Sequence, residues 1–171
     1  MTSSLVRAIA RRRVTIGFVS SAIALWFAQP STLTLAAGGA LAIAGEAMRV
    51  WAAGHLEKGR EVTASGPNAF TRHPLYLGST LMGIGLAIAS ASAIVAALVI
   101  AYLAITLTAA VRTEEAHLTE KFGAAYPAYR EGRAEKERRR FSLARAMRNR
   151  EYRAALGLLL VLLVLAWKAR S

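Results

Sequence analysis

The stretch from Leu75 to Val111 is 37 residues long and carries no charge. No other feature constrains the fold as much. At ~1.5 Å per residue, one helix of that length would be nearly twice as long as the ~30 Å hydrocarbon core of a bilayer is thick. The run therefore has to fold back on itself. The small-residue patch "ASASA" (89–93) is the natural tip, which predicts spans near 75–90 and 92–111. Two further stretches, 14–29 and 32–56, approach or exceed the roughly 18–20 apolar residues that read as a bilayer span. A shorter one, 154–167, is flanked by Tyr152, Arg153, Trp167 and Lys168, interfacial side chains that extend its reach. The expected fold class is all-α: an integral membrane helical bundle of about five transmembrane helices, forming a single domain over 1–171.

The chain carries 22 Lys and Arg against ten Glu, with no Asp, for a formal net charge of +12. In a soluble domain that excess would point to nucleic acid. Here topology explains it, because loops on the cytoplasmic side of a membrane collect Lys and Arg, and no nucleic-acid-binding motif accompanies it. Arg11–Arg13 place the N-terminus inside, and an odd number of spans leaves 57–73 and 112–153 inside as well; the connections at Pro30-Ser31 and Ala89–Ala93 carry no charge. The basic segment 130–153 is expected to lie as a helical cap along anionic lipid headgroups, with Phe141, Leu143, Met147 and Tyr152 dipping into the interface. Without cysteine there is no disulfide framework and no thiolate metal site, and no metal is expected.

Three polar groups interrupt this apolar chain. Glu46 and Arg49 lie within the second span, where each costs about 2.5–3.5 kcal/mol near a helix centre. At i,i+3 they can pair. They read either as a structural ion pair or as the lining of a polar cavity between helices. The second group is the loop 57–74, in which Ser65-Gly66-Pro67-Asn68 marks a turn and Pro74 opens the third span at a position where a missing N–H costs nothing. His73 is thereby held at a helix mouth beside unpaired N–H donors, where an anion can sit. The third group follows the fourth span and carries Arg112, Glu114, Glu115 and His117 within two turns. Because a hairpin brings its two ends together, the Arg72-His73 pair and the Arg112–Glu115 cluster are expected to meet at one membrane face.

The ordered set "SGPNAFTRHPLYLGSTLMGIGLAI", then "EEAHLTEKFGAAYPAY", preceded by "GEAMRVWAAGHL", resembles the isoprenylcysteine carboxyl methyltransferases and the related membrane phospholipid N-methyltransferases over roughly residues 45–130. Those families show a turn followed by R-H-P-x-Y-x-G, a hairpin, an E-E pair, F-G and two spaced tyrosines. The resemblance implies an integral membrane enzyme that uses S-adenosyl-L-methionine without a soluble nucleotide-binding domain. No strand–G-x-G-x-x-G–helix pattern occurs here, in agreement. Carried over by position, cofactor contacts come from Glu61, Val62, Thr63, Asn68, His73, Tyr76, Gly78 and Glu114. Arg112 stands nearest to the family's substrate-orienting arginine, and Glu115, Arg49 and Glu46 complete the expected catalytic set.

Two departures stand out. The usual tyrosine of the turn is Asn68, so a ring contact falls to Phe70, and the tail after Tyr129 is strongly basic, with no proline after Pro127. The resemblance thus predicts methyl transfer to a membrane lipid or lipidated substrate through a carboxylate, with phospholipid amine N-methylation as the alternative. A non-enzymatic membrane transporter or assembly subunit is the competing class. In that reading Glu46–Arg49 is a polar seam, and the third and fourth spans pack through Gly78, Gly83, Gly85 and Ala87. The expected location is a bacterial inner membrane with the active site cytoplasmic, and a homo-oligomer is compatible with the short chain.

Overall fold

The computed structural model describes residues 19, 21–57, 63, 65–122 and 139–171, without the side chains of His117 and Phe122. Arg11–Arg13, Glu61, Val62, Tyr126, Tyr129 and 130–138 therefore lie outside the described residues. All regular structure among the described residues is helical: α1 over 21–27, α2 Thr32–Ala53, a 3-10 turn Gly66–Ala69, α3 Pro74–Ser90, α4 Ala93–Phe122, the short α5 Leu143–Arg148 and α6 Tyr152–Lys168. By length and composition, α2 and α4 are apolar enough to cross a membrane, and α3 is a shorter apolar helix.

Each boundary has a local cause. α2 starts behind Pro30 with a reciprocal cap, in which Thr34 N donates to Ser31 Oγ (3.2 Å) and Ser31 N to Thr34 Oγ1 (2.9 Å). It ends at Ala53, three residues earlier than the apolar pattern predicts. Its last carbonyls are taken by side chains from further along the chain: Asn149 Nδ2 donates to Ala53 O and Leu56 O (2.9 Å each), and Arg145 Nη1 to Gly54 O (2.6 Å). Ser142 N also donates to Gly54 O (3.0 Å) and Leu56 N to Ala53 O (3.3 Å), so the carbonyls at this helix end are paired. α3 opens at Pro74 and closes at Ala91, whose φ of 49° turns the chain inside the predicted "ASASA" tip. α4 does not stop at Val111 but continues to Phe122, so the fourth span and the acidic cluster share one helix, about 45 Å long at ~1.5 Å per residue.

The closest packing is between α2 and α3. Gly38, Ala42, Gly45 and Arg49 face Gly78, Met82, Gly85 and Ala89 along antiparallel helices, both sets at i, i+4, i+7 spacing. A Cβ on Gly45 would lie 2.5 Å from Met82 N, and one on Gly78 2.7 Å from Gly45 O, so the two backbones touch. Small residues permit such approach in a bilayer, where dispersion rather than water exclusion drives helix association. This corrects the packing expected for the third and fourth spans. Gly78 and Gly85 serve the α2 contact, and only Gly83 faces α4, at Val99 and Leu103.

The two ends of the bundle differ. At one end, Gln29 N donates to Ser90 O (2.8 Å), and Lys168 Nζ donates to Leu25 O (2.8 Å) and Trp26 O (3.2 Å), tying the ends of α1, α3 and α6 together. At the other lie the end of α2, the start of α3, the charged part of α4 and α5. Here Glu57 is held by Arg145 Nε (2.8 Å) and Arg148 Nη2 (3.4 Å), and the hydrogen bond from Arg145 holds its carboxyl below the usual carboxylate range. His55 is buried against the ring of Phe141 and donates from Nδ1 to Trp51 O (3.0 Å).

Candidate functional site

The hairpin of α3 and α4 brings the polar groups together. His73 Nε2 donates to Glu115 Oε1 (3.2 Å), Tyr76 donates its hydroxyl proton to Glu114 Oε2, and Arg72 Nη1 stands 4.0 Å from Glu115 Oε1. The rings of His73 and Tyr76 stack at 5.5 Å. Successive carboxylates on α4 thus engage residues three positions apart, His73 and Tyr76, at the mouth of α3. The backbone explains why: the carbonyl of His73 already accepts from Tyr76 N and Leu77 N, and its side chain does not cap the helix, leaving the ring free to turn toward α4.

Other expected residues fall elsewhere. Thr63 and Asn68 are buried in the connection between α2 and α3; Thr63 Oγ1 accepts from Glu57 N (3.3 Å), and Asn68 Nδ2 donates to Ser65 O (3.4 Å). Gly78 lies in the α2–α3 seam against Arg49 rather than at the cluster. Arg112 is exposed and forms no hydrogen bond or ion pair among the described residues. Phe70 is 84% exposed and stands clear of the protein at this face. Glu61 and Val62 lie outside the described residues.

Glu46 and Arg49 do pair, at 3.3 Å, but Arg49 has further partners. Its Nη2 donates to Glu151 Oε2 (2.7 Å), and its Nη1 donates to Ser79 Oγ and to Leu75 O (3.5 Å). One guanidinium therefore joins α2, α3 and the start of α6 between two carboxylates, both largely buried. Sequence reasoning missed Glu151. Its signal was that it stands as a lone acid in the basic stretch "RNREYR", directly ahead of an apolar helix, where topology alone asks for no acid.

Beneath the cluster runs an apolar cleft of about 640 Å³ between α1, α3, α4 and α6. Its wall on α3 extends from Ser79, one turn from Tyr76, to Ser90 at the far end, and includes Met82 and Leu86; Leu103 and Leu107 of α4 and Val161 of α6 close it. Ser79 links the two polar features, since it lines the cleft and binds Arg49.

Among the described residues the chain is all-helical, with two helices apolar enough to cross a membrane, an acidic cluster where a hairpin ends and an apolar cleft near it, features that suit a membrane protein. A family model described as phospholipid methyltransferase matches residues 13–125, and the chain belongs to that family. It is a methyltransferase of a family whose members use S-adenosylmethionine and act on lipids. No curated protein and no solved structure gives a match.

Proposed function

We propose that this protein transfers a methyl group from S-adenosylmethionine to the headgroup of a lipid held in the bilayer. The observation that carries this reading is that the His73–Tyr76–Glu114–Glu115 cluster gathers at the hairpin end about one turn of α3 beyond Ser79, where the lining of the apolar cleft begins. A lipid tail can move from the bilayer along those apolar walls without meeting water, whereas a water-soluble acceptor has no tail to seat there.

The residues present suit the cofactor. Glu114 and Glu115 offer negative charge to an ammonium and a sulfonium, the N–H of Leu75 in the first turn of α3 offers a donor to a carboxylate, and exposed Phe70 offers a ring face to an adenine. When bound, S-adenosylmethionine supplies an electrophilic methyl carbon whose sulfur leaves as a neutral thioether. Glu114 and Tyr76 would hold the amino acid end, with Thr63 and Asn68 buried nearby in the connection between α2 and α3. The protein's task is alignment of nucleophile, methyl carbon and sulfur, because charge is discharged rather than created. Exclusion of water by the cleft strengthens the ionic contacts that fix this geometry.

The charges favour an amine acceptor over a carboxylate. Arg49 already faces Glu46 and Glu151, and Arg72 and His73 face Glu115, so the cations nearest the cluster and the cleft wall are already engaged by carboxylates. An ammonium head has to lose a proton before its lone pair can attack. Glu115, oriented by His73, is the carboxylate placed to take it.

The five helices α1, α2, α3, α4 and α6 alternate in direction and are read as five crossings. The site then faces the cytoplasm, because Arg72, Arg112, Arg140, Arg145, Arg148, Arg150 and Arg153 lie at its end of the bundle. Exposed Phe141, Leu143, Met147 and Tyr152 on and beside α5 fit an interfacial cap on anionic headgroups.

Calorimetric titration of the purified protein with S-adenosylmethionine tests the reading. His73→Ala and Glu114→Ala should each weaken binding about tenfold or more, as for loss of a contact worth roughly 1.5–3 kcal/mol. Unchanged affinity in both folded variants would remove the cluster from the cofactor site.

A further inference from the structure

The matched family region ends at residue 125, yet the charged group beside the cleft is completed by Glu151. The guanidinium of Arg49 stands between Glu46 Oε2 (3.3 Å) and Glu151 Oε2 (2.7 Å) while binding Ser79, a residue of the cleft wall. Formally, one positive charge faces two negative ones. Without Glu151, Arg49 would present a more positive face to the polar end of the cleft through Ser79. Little solvent would screen it, because the Arg49 and Glu151 side chains are only 18% and 10% exposed.

We propose that Glu151 is a specificity-determining positioning residue, which holds and offsets Arg49 so that the cleft accepts amine-headed amphiphiles in preference to carboxylate-headed ones. The inference rests on the lipid methyl-transfer reading for its biological meaning, but the preference itself is a binding property. Glu151 does not touch the acceptor. It acts through the Arg49–Ser79 contact, and it ties the start of α6 to the centre of α2 and α3.

The test is competition between dodecylamine and dodecanoate for the protein in phosphatidylcholine nanodiscs, followed by single-turnover methylation of long-chain amine acceptors. The wild type should favour the amine. Glu151→Gln keeps an oxygen to accept from Arg49 Nη2 but removes the charge, and should cut the amine-to-carboxylate preference about tenfold, or ~1.4 kcal/mol. Glu151→Asp should retain the wild-type preference, and Glu46→Gln combined with Glu151→Gln should shift it further toward the carboxylate. A merely structural role would lower both affinities together and leave their ratio unmoved. An unchanged ratio in folded Glu151→Gln overturns the proposal, as does a wild type without preference. Should Glu151→Gln fail to accumulate, Glu46→Gln removes one unit of charge from the same group, and an unchanged ratio there overturns it equally. A wild type that shows the preference but methylates no lipid leaves the binding inference standing and removes the proposed reaction.

Discussion

Arg49 shows what a single residue does here. It sits in an apolar helix, contacts three helices, and places one hydrogen bond at the edge of the cleft. Breaking a buried ion pair from one side leaves an uncompensated charge, at a cost of about 3–5 kcal/mol. Arg49→Met leaves two such carboxylates, so it should destabilise the protein by at least that amount, read as a lowered midpoint of denaturant unfolding in detergent. A shift below 1 kcal/mol would show that Glu46 and Glu151 do not depend on the guanidinium. The i,i+3 spacing made the Glu46–Arg49 pair legible in the sequence. The Glu151 partner was not, because it lies 102 positions from Arg49 and only the packing of α6 brings it near. The meeting of Arg72 and His73 with Glu115 was legible for a different reason: one hairpin joins their helices, so chain connectivity brings its two ends together; the Tyr76–Glu114 contact was not read from it.

Among the elements, the pair of α2 and α3 carries the site. Their contact depends on the absence of side chains, and this separates two kinds of glycine. Gly45→Ala would put a methyl group 2.5 Å from Met82 N and should cost about 1–3 kcal/mol through forced separation of the helices. Gly157 on α6 has open space around it, so Gly157→Ala should be neutral or stabilise by up to about 1 kcal/mol. Thermal unfolding of the two variants in one detergent checks the contrast, and equal shifts would contradict the seam. The apolar runs and the small-residue tip made the helices and the hairpin turn readable in advance. Which face of α3 meets which neighbour was not readable, because Gly78, Gly83 and Gly85 offer small surfaces on both sides and a one-dimensional pattern does not say which is taken. The end of α2 was misjudged for a related reason: Gly54, His55 and Leu56 extend the apolar pattern, but the helix stops where Arg145 and Asn149 supply donors for its carbonyls.

For the whole molecule, orientation and chemistry are linked, since a cofactor made in the cytoplasm reaches the site only if the arginine-rich end faces inward. The chain has no cysteine, so a single introduced one reports its own position. In intact cells Ala93→Cys should react with an impermeant maleimide added outside and Ala144→Cys should not; both positions are exposed, at opposite ends of the bundle. The reverse pattern would turn the molecule over. The central claim is that a polar cluster acts on a head whose tail lies in the cleft, and turnover across an amine-headed series of increasing chain length in mixed micelles tests it most directly. Below saturation, each methylene that a lengthening tail draws out of water into micelle and cleft is worth about 0.8 kcal/mol, or roughly a fourfold gain in turnover, until the tail is fully seated. A steep rise that levels off at cleft length is the predicted result; equal turnover of a tailless amine and its long-chain counterpart at matched concentration would contradict it.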